Sequence, residues 1–530
     1  MPFDRPSMIE FIGAAEQPVD VLVIGGGATG LSVALESATR GYSTVLLERG
    51  DFAGGTSSLS TKLIHGGVRY LRQGRIRLVR ESLRERRSFR RNAPHLVRPL
   101  PIVVPTYSRW ESVKYGAGLF AYSAMSRGDG FGRARNLSSD AVLSVAPGIQ
   151  SKGLRGGIVF PDGQTDDARL ALAIAKTAAS HGAAVLNYVA VRTLRTNHGR
   201  VTGVEAEDLR NGKSIEIDAR VVINATGVHT DATLELDAGG SSGLIRWSRG
   251  THITMDGSLL GEGHGLLIPE TSDGRVVFAL PWLRRTLIGT TDVNVDSPDP
   301  DPRAVLEDAE FLIDEVKRYL PEAGRSKVLS TFSGIRPLIS NGSASPTSSI
   351  SRSHRILVSR TGLLTIAGGK WTTARLMAEQ VVSKAVEIAR LRNSKSVTSG
   401  LKLEGHDETP DESIRSPSHI DEPDTLYGAE IAAIKDLEGR WPDLKTPLCA
   451  GVPYRLSHAV YGVLGEMAQT LEDVLSRRTR ASLLDAGATS SAASRVVQAV
   501  RRYGGVEADW AANELADMQS SIAEFHGPPG

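Results

Sequence analysis

The densest group of chemically useful side chains lies between Thr56 and Leu71. The segment reads TSSLSTKLIHGGVRYL and combines hydroxyls, a lysine, a histidine and two adjacent glycines. Such residues are poor material for a hydrophobic core, whereas they are well suited to wrapping the polar atoms of a ligand. Its composition therefore predicts a ligand-binding loop.

A glycine pattern upstream of this segment predicts what kind of ligand binds. Gly25-x-Gly27-x-x-Gly30 follows an apolar run, and a second predicted strand, Ser43 to Leu47, is followed by Glu48. In such a pattern the first glycine makes a tight turn, the second lets the backbone approach a pyrophosphate, and the third packs a helix on the strand. An acid 18 residues beyond Gly30 suits a bond to a ribose hydroxyl. The spacing predicts a dinucleotide site and does not by itself distinguish NAD from FAD.

The chain carries one copy of this pattern. The glycine runs at 128–132 and 261–265 lack its spacing. Enzymes that reduce a bound flavin with NAD(P)H commonly need a second nucleotide-binding motif. A single nucleotide that the substrate reduces directly is therefore the simpler interpretation.

The elements that must position these residues form a mixed α/β pattern. Further predicted elements are a helix from Leu170, strands at 184–191, 201–207, 220–223 and 363–366, and a helix at 372–389. The strand at 220–223 leads into a small-residue turn, Asn224 to Gly227, which suits another backbone approach to the ligand. Alternating apolar and polar residues between about 245 and 336 predict an antiparallel sheet inserted into the nucleotide domain.

Two further regions differ in composition from this domain. Residues 391–425 are polar, contain three prolines and are interpreted as a linker, and helical patterns follow from 426 onward. Residues 69–98 hold eleven arginines against two acids, with Ile76, Val79 and Leu83 at helical spacing. This segment is either a solvated amphipathic helix or a basic face directed at phosphates, an anionic substrate or lipid headgroups.

The totals narrow the class of protein. At 530 residues with 40% hydrophobic residues, the chain has room for two or three domains with a large core. A formal net charge of +2 gives no argument for nucleic acid binding. The single cysteine, Cys449, excludes an internal disulfide and suits a reducing compartment. We expect no signal peptide, no membrane-spanning segment and no metal site, since no run or cluster has the required pattern.

Together these blocks resemble a known family. The segment SSLSTKLIHGGVRYL, behind a glycine pattern and a strand followed by glutamate, is similar to the FAD-dependent, quinone-linked glycerol-3-phosphate dehydrogenases of the D-amino-acid-oxidase-like flavoprotein superfamily. The similarity continues in order through DDARL (166–170), NATG (224–227), GTHI (250–253), IGTTD (288–292), SGIRPL (333–338) and GGKWTT (368–373). It covers about residues 19–390, and beyond them it extends only to a helical domain in the right place.

The resemblance implies an α/β fold with an α+β substrate part. Its components are a Rossmann-type FAD-binding domain, an inserted antiparallel-sheet substrate domain and a C-terminal helical domain. The implied divisions are an N-terminal extension (1–18), the oxidoreductase (19–390), a linker (391–425) and the C-terminal domain (426–530). Within the oxidoreductase, FAD-binding segments at about 19–100, 165–240 and 350–390 alternate with substrate segments at about 101–164 and 241–349.

The resemblance also implies which residues form the site. The implied catalytic residues are Arg69, Tyr70, His252, Arg336 and Lys370. The implied FAD ligands are Gly25, Gly27, Gly30, Glu48, Thr56, Ser57, Ser60, Lys62, Leu63, Val191, Gly227, Gly369, Lys370 and Thr372. Paired arginines suit a phosphate dianion, and an ammonium group suits a substrate oxygen or a flavin carbonyl. His252 is the candidate proton acceptor, and a base assisted by water or by Lys370 stays open.

The expected reaction is FAD-dependent oxidation of sn-glycerol 3-phosphate to dihydroxyacetone phosphate, in glycerol and glycerophospholipid metabolism. A hydride passes from C2 to flavin N5, and the electrons continue to a membrane quinone. Two alternatives stay open. One is a flavin oxidase that uses oxygen and acts on glycerol 3-phosphate or on an amino acid. The other is a non-catalytic binding protein that keeps the fold.

The implied partners are glycerol 3-phosphate, a membrane quinone and an anionic membrane surface, with no nucleic acid. Without a spanning helix the attachment is peripheral, which predicts a cytoplasmic protein at the inner face of the cell membrane. Either the basic segment at 69–98 or the C-terminal domain would make this attachment. The sequence leaves the oligomeric state open, with a homodimer as one option.

Overall fold

The computed structural model describes residues 1–72, 74–126, 130–237, 243–261, 263–298, 302–340, 353–407, 422–506, 515–517, 520 and 522, without the side chains of residues 69 and 72. Within these residues the α-helices are α1 (Arg5–Gly13), α2 (Ala28–Thr39), α3 (Val68–Arg72), α4 (Ile76–Asn92), α5 (Arg109–Met125), α6 (Ser139–Val145), α7 (Asp167–Ser180), α8 (Thr230–Glu235), α9 (Leu306–Lys317), α10 (Ala374–Ala389), α11 (Ile431–Arg440), α12 (Leu456–Leu464), α13 (Ala481–Leu484) and α14 (Ala486–Gly504).

The β-strands within the same residues are β1 (Val19–Ile24), β2 (Thr44–Leu47), β3 (Leu63–Ile64), β4 (Val97–Thr106), β5 (Arg135–Ser138), β6 (Gly156–Thr165), β7 (Ala184–Leu186), β8 (Val189–Asn197), β9 (Arg200–Asp208), β10 (Lys213–Asn224), β11 (Ile245–Asp256), β12 (Gly265–Ile268), β13 (Val277–Trp282), β14 (Arg285–Gly289), β15 (Val293–Val295), β16 (Val328–Ile339), β17 (His354–Val358) and β18 (Leu364–Gly368).

A largely parallel sheet carries the glycine pattern. Its strands follow the order β17-β18-β10-β1-β2-β7, and β1 pairs in parallel with β10 and β2. Val21, Leu22 and Val23 of β1 are completely buried, which explains the uninterrupted apolar run in the sequence. Helices α2, α7 and α10 pack beside one another against this sheet. The glycine turn therefore lies at the carboxyl end of a central strand, where open α/β sheets bind ligands.

A second sheet supports the other half of the site. It follows the order β15-β11-β14-β13-β12-β4-β6-β3, with β16 paired to β11 and β5 to β6. The predicted antiparallel sheet at 245–336 is present, but strands β3 to β6 from earlier in the chain complete it, and β12 pairs with β4 in parallel. Because β4 and β6 are buried along nearly their whole length, they lack the alternation that would have identified them.

Residues 391–407, the first part of the predicted linker, pack against the nucleotide domain. Thr398 Oγ1 donates a hydrogen bond to Glu36 on α2, and the N–H of Leu403 donates to the carbonyl of Asn92 on α4. The polar residues that suggested a linker thus supply hydrogen bonds between packed segments. Residues 408–421 of the predicted linker lie outside the described residues.

The C-terminal part is helical, as expected, with one interruption. The helix predicted from Leu456 ends at Leu464, and a π-helical segment follows at Asp473–Arg478. Buried residues of α12 and α14 belong to the same hydrophobic cluster as those of β1. Most of the last predicted helix, from residue 508 to 525, lies outside the described residues.

The arginine-rich segment forms α3, α4 and the start of β4. Val79 and Leu83 on α4 are buried, whereas Ile76 at its start is 47% exposed. The arginines at 77, 80, 84, 87 and 91 follow one another at steps of three and four along the exposed face of this helix. In the part of the chain that the structure describes, no helix is both long and apolar enough to cross a membrane.

Candidate active site

The turn after β1 is built for a close approach of backbone to backbone. Gly25 has a φ of +108°, a conformation that favours glycine. A Cβ atom on Gly30 would lie 1.8 Å from the carbonyl oxygen of Gly25, so α2 can start against the strand only without a side chain there. Since α2 begins at Ala28, its free N–H groups and positive dipole end lie just beyond the strand. This is an anion-binding arrangement.

Glu48 lies beside the glycine turn. Its carboxylate accepts hydrogen bonds from the N–H groups of Gly26, at 2.6 Å, and of Gly50, at 2.8 Å. Burial raises the pKa of Glu48, and these two backbone donors oppose that shift. The acid that follows β2 is thus fixed next to the predicted pyrophosphate site.

Ser57 is hydrogen-bonded to the first residue of α2. Its Oγ accepts a hydrogen bond from the N–H of Ala28 at 2.9 Å, and a Cβ atom on Gly27 would lie 3.1 Å from that oxygen. The indole Nε1 of Trp371 donates to the carbonyl of Ser57 at 2.8 Å. The ligand-binding loop therefore connects the glycine turn to the segment after β18.

A cavity of about 640 Å³ lies against this loop. It is bounded by residues 56–71, by the second sheet and by the turn after β18. The predicted site residues in its wall are Thr56, Ser60, Leu63, Tyr70, His252, Arg336, Gly369, Lys370 and Thr372. The fold thus brings predicted side chains from three distant segments to one place. Arg69 belongs to α3 beside Tyr70, and its side chain lies outside the described residues.

The remaining predicted FAD ligands lie away from the cavity, on the nucleotide side. Gly227, with a φ of +58°, follows β10, which is a parallel neighbour of β1. Val191 lies on β8 near Glu48, because the N–H of Val189 on the same strand donates to the carbonyl of Glu48 at 2.8 Å. Both residues therefore lie near the carboxyl ends of strands that flank β1.

The ammonium group of Lys62 is bound inside the protein instead of lining the cavity. The residue is completely buried, and its Nζ lies 2.9 Å from each carboxylate oxygen of Asp167 and 2.7 Å from the carbonyl of Ser58. Burial, and then the charge of Arg480, lower the pKa of Lys62 to about 8, against the opposing effect of Asp167. Its side chain therefore makes an ion pair, which the sequence pattern did not indicate.

His252 is held rigidly in the cavity wall. Its Nε2 lies 2.9 Å from the hydroxyl of Thr61, and its ring stacks on Phe332 with centroids 4.9 Å apart. Within the described residues, its Nδ1 makes no hydrogen bond. Burial, followed by the positive charges of Lys62 and Arg336, holds the pKa of His252 well below its ordinary value. The imidazole is therefore neutral at physiological pH.

Arg336 reaches the cavity from β16, opposite Ser248 on β11. Its Nη2 donates to the hydroxyl of Thr290 at 2.9 Å and to the carbonyl of Thr291 at 3.1 Å. Its Nη1 lies 3.8 Å from the carboxylate of Asp292. These contacts fix the plane of a guanidinium group at the cavity wall.

Lys370 lies in the turn after β18. Its Nζ is 5.0 Å from the ring centroid of Tyr70, which gives a cation–π contact between two predicted catalytic residues. The hydroxyl of Thr372 accepts from the N–H of His65 at 3.1 Å and donates to its carbonyl at 3.2 Å. The turn after β18 is thus hydrogen-bonded to the ligand-binding loop.

Comparisons with known proteins bear directly on this arrangement. A family model described as FAD dependent oxidoreductase matches residues 20–381, and one described as the C-terminal domain of alpha-glycerophosphate oxidase matches residues 359–511. The mitochondrial glycerol-3-phosphate dehydrogenase of Macaca fascicularis is 40% identical, over 96% of this chain and 73% of that protein. This chain belongs to the family of FAD-dependent glycerol-3-phosphate dehydrogenases.

Other members of the family agree with this assignment. The human mitochondrial glycerol-3-phosphate dehydrogenase is 41% identical, over 91% of this chain and 70% of that protein. The crystal structure of a Bacillus halodurans glycerol-3-phosphate dehydrogenase with FAD matches with a TM-score of 0.78 and 27% identity, over 99% of this chain and 98% of that one. The expected family, α/β fold class and FAD cofactor are confirmed. An L-alpha-glycerophosphate oxidase from Mycoplasma pneumoniae, at 15% identity and a TM-score of 0.54, shares the fold alone.

The residues of this dehydrogenase-family chain fit FAD. The turn at Gly25 to Gly30 leaves space that a Cβ atom would fill, and the start of α2 offers N–H groups to a pyrophosphate. Glu48 lies beside that turn. The cavity bounded by Thr56, Lys370 and Thr372 lies at the other end of the loop and can take the flavin ring.

The structure adds residues that the motifs alone did not single out. Thr61 holds His252, and Asp292 lies beside Arg336. Asp292 is the last residue of the segment IGTTD (288–292), so the family resemblance of that segment was the feature that could have identified it. Lys114 on α5 also lines the cavity, and nothing in the sequence around it marks a ligand.

Proposed function

We propose that this chain oxidises sn-glycerol 3-phosphate to dihydroxyacetone phosphate. The proposal rests on one observation: Arg336, Lys370 and His252 line the same cavity, next to the ligand-binding loop at residues 56–71. The names of relatives that are about 40% identical supply the substrate. FAD, when bound, accepts the hydride that leaves C2 of such a substrate.

Arg336 binds the phosphate of the substrate. Its guanidinium group is fixed by Thr290 and Thr291, so it loses little freedom when an anion arrives. A guanidinium group can present two N–H donors to one phosphate, which sets orientation as well as affinity. Lys114 and Arg275 lie in the same wall, where each forms an ion pair, Lys114 with Glu270 and Arg275 with Asp273. The phosphate therefore orients the glycerol carbons relative to the FAD loop.

His252 takes the proton of the C2 hydroxyl, directly or through the hydroxyl of Thr61. The imidazole is neutral because burial, Lys62 and Arg336 all lower its pKa, so it can accept a proton at physiological pH. Its position is set by the bond from Nε2 to Thr61 and by the stack on Phe332. Lys370 stabilises the negative charge that develops on the C2 oxygen.

The visible spectrum of the purified holoenzyme tests the proposal. Anaerobic addition of sn-glycerol 3-phosphate should bleach the flavin absorbance without any other acceptor. Glycerol 2-phosphate, which has the same charge but no secondary hydroxyl next to a phosphorylated carbon, is the control and should leave the spectrum unchanged. An unchanged spectrum with sn-glycerol 3-phosphate would contradict the proposal.

A membrane quinone is the proposed electron acceptor, and α5 supports it. One face of this helix lines the cavity with Tyr115 and Leu119. The opposite face exposes Trp110, Val113 and Phe120, with 71%, 63% and 40% of their surface accessible. Large apolar side chains exposed together are typical of a surface that contacts an apolar partner, and here that surface is separated from the cavity by the width of one helix.

The rate of reoxidation of the reduced enzyme shows whether a quinone or oxygen is the electron acceptor. After anaerobic reduction, a short-chain quinone analogue should restore the flavin absorbance at least tenfold faster than air-saturated buffer does. The oxidase alternative predicts the reverse order, together with stoichiometric hydrogen peroxide. Replacing Trp110 and Val113 with serine should slow the quinone reaction and leave reduction by the substrate unchanged.

An anionic lipid surface is the proposed docking partner of α4. The line of exposed arginines from Arg77 to Arg91 extends about 21 Å along the helix. Within the described residues, Arg77, Arg80 and Arg84 make no ion pair that would neutralise them. Arginines near a bilayer are attracted to acidic headgroups by about 1 kcal/mol each. This arrangement favours the basic-face interpretation of residues 69–98.

Vesicle sedimentation tests this docking surface. The triple variant Arg77→Glu/Arg80→Glu/Arg84→Glu should lose binding to vesicles that contain phosphatidylglycerol. The matched control is Arg200→Glu/Arg355→Glu/Arg501→Glu, which changes the net charge equally at exposed positions elsewhere. Equal loss of binding in both triples would show attraction by net charge alone and would contradict a specific surface.

A further inference from the structure

A buried arginine from the C-terminal region reaches the ligand-binding loop. Arg480 lies between the π-helical segment and α13 and is completely buried. Its Nη2 donates to the carbonyl of Ser58 at 2.6 Å and to Asp167 Oδ1 at 3.1 Å, and its Nε lies 3.4 Å from Asp166. A residue more than 400 positions away in the chain is therefore in direct contact with the loop that carries the predicted FAD ligands.

Asp167 links this arginine to the loop. Besides its two contacts with Lys62, it accepts hydrogen bonds from the N–H of Ser60 at 3.0 Å and from the Ser60 hydroxyl at 2.7 Å. Lys62 itself has a φ of +61°, a conformation that non-glycine residues rarely adopt. The carboxylate thus holds the loop on both sides of Thr61, and its own charge is shared between two buried cations.

The same ion pair lies behind the catalytic imidazole. Lys62 Nζ is 5.1 Å from the ring centroid of Phe332, and Phe332 stacks on His252. These two distances place the ammonium group within about 10 Å of the imidazole, although Lys62 does not line the cavity. Thr61, fixed between Ser60 and Lys62, is the hydrogen-bond partner of His252 Nε2.

We propose that Lys62, Asp167 and Arg480 act as a positioning trio for His252. The trio holds Thr61 and Phe332 against the imidazole and keeps the Lys62 ammonium group behind it. Through Arg480, the C-terminal region takes part in building the reactive end of the site. The effect on turnover rests on the proposed oxidation of glycerol 3-phosphate, whereas the effect on His252 itself does not.

The charged groups that face His252 determine the sign of the expected change. They are Lys62, from the ligand-binding loop, and Arg336, from β16. Farther away, Asp167, Asp166 and Arg480 surround Lys62, and Lys370 and Asp292 lie in the same cavity wall. Both nearest groups are cations, so both oppose protonation of the imidazole. Loss of one unit charge at about 10 Å, at an effective dielectric constant of about 20, changes a pKa by about one unit. Removing the charge of Lys62 should therefore raise the pKa of His252.

The experiment is an NMR titration of His252 in the ¹⁵N-histidine-labelled holoenzyme, assigned with His252→Gln. In Lys62→Met the titration of His252 should move upward by about one pH unit, and in Lys62→Arg it should stay near that of the wild type. The acid limb of kcat/KM for glycerol 3-phosphate should shift in the same direction. If the wild type does not turn over glycerol 3-phosphate but the His252 titration still shifts in Lys62→Met, the proposed oxidation is contradicted and the proposed trio is supported. An unshifted titration in Lys62→Met overturns the trio.

Arg478 provides a matched control for Arg480. It is also completely buried, lies two residues away and binds a carboxylate of the nucleotide domain, Asp51, at 2.6 Å and 2.9 Å. Arg480→Met should raise the pKa of His252, by less than Lys62→Met does. In Arg480→Lys the pKa of His252 should return to the wild-type value. Arg478→Met should lower thermal stability without moving the titration. Identical behaviour of the two methionine variants would mean a purely structural role.

Thr61→Val tests the positional part with a change that removes no buried charge. The valine has nearly the shape of threonine, so the fold is retained even if Lys62→Met and Arg480→Met fail to fold. Loss of the hydroxyl should reduce kcat about tenfold and leave flavin content and KM close to the wild type. A wild-type kcat in Thr61→Val would overturn the inference that the trio acts by holding Thr61 on His252.

Discussion

The two ends of the FAD site are built in different ways. The proposed nucleotide end consists mainly of backbone groups and one carboxylate between Gly25 and Gly50, with Val191 and Gly227 nearby. The reactive end consists of side chains from the loop at 56–71, from β11 and β16, and from the turn after β18. A backbone site has no room for an added atom, whereas a side-chain site can lose a group and keep its shape. Substitutions at the nucleotide end should therefore reduce the amount of bound FAD, and substitutions at the reactive end should reduce the rate of substrate oxidation.

The largest effect is expected at Gly30. In Gly30→Ala the new Cβ atom would lie 1.8 Å from the Gly25 carbonyl, so α2 or the strand end must move. We expect loss of bound flavin, measured as the ratio of flavin to protein absorbance in the purified protein. Gly439→Ala on α11, where a Cβ atom would meet nothing within 4 Å, is the control and should keep full flavin content. Wild-type flavin content in Gly30→Ala would contradict the argument that this turn has no space for a Cβ atom.

The opposite pattern is expected at Arg336. In Arg336→Ala the site loses charge-assisted hydrogen bonds to the substrate phosphate, each contributing about 1.5–3 kcal/mol. We expect kcat/KM for glycerol 3-phosphate to fall about 100-fold or more while flavin content stays at the wild-type level. Arg355→Ala, an exposed arginine on β17, should change neither quantity. Loss of flavin in Arg336→Ala would remove the distinction between the two ends.

A smaller effect is expected from acid at the nucleotide end. Burial opposes ionisation of Asp51, but Arg478 and Arg477 outweigh it and lower its pKa from 3.8 to about 2. Because the folded state holds this proton less tightly than the unfolded state, the stabilisation is present above pH 4 and is lost as the pH falls toward 2. It amounts to about 2 kcal/mol. Denaturant unfolding between pH 2 and 5 should show this loss in the wild type, and Asp51→Asn should lack it.

The smallest effect is expected at Trp371, which joins the two ends. Trp371→Leu removes the bond from Nε1 to the Ser57 carbonyl, worth about 1 kcal/mol. Because this bond holds the loop over α2, we expect the Kd for FAD to rise about fivefold, with kcat within about twofold of the wild type. Fluorescence titration of the apoprotein with FAD measures the first quantity. A larger loss in kcat than in FAD affinity would place Trp371 at the reactive end.

The same contrast explains how much could be predicted from the sequence. The glycine turn and Glu48 were identified because their function depends on spacing within one local unit, and the structure places Glu48 on the amide of Gly26. His252, Arg336 and Lys370 were identified through the family resemblance and meet at one cavity. The ion pair of Lys62 with Asp167 was missed because it depends on tertiary packing. The roles of β4 and β6 were missed because continuously buried strands show no alternation.

The buried arginines at 478 and 480 also bear on how the molecule unfolds. Each completes an ion pair whose carboxylate belongs to the nucleotide domain, and both side chains are fully shielded from water. The two parts also share one hydrophobic cluster, so separating them would break these ion pairs and expose apolar surface to water. We therefore expect the flavin-binding part and residues 473–506 to unfold together, in a single thermal transition.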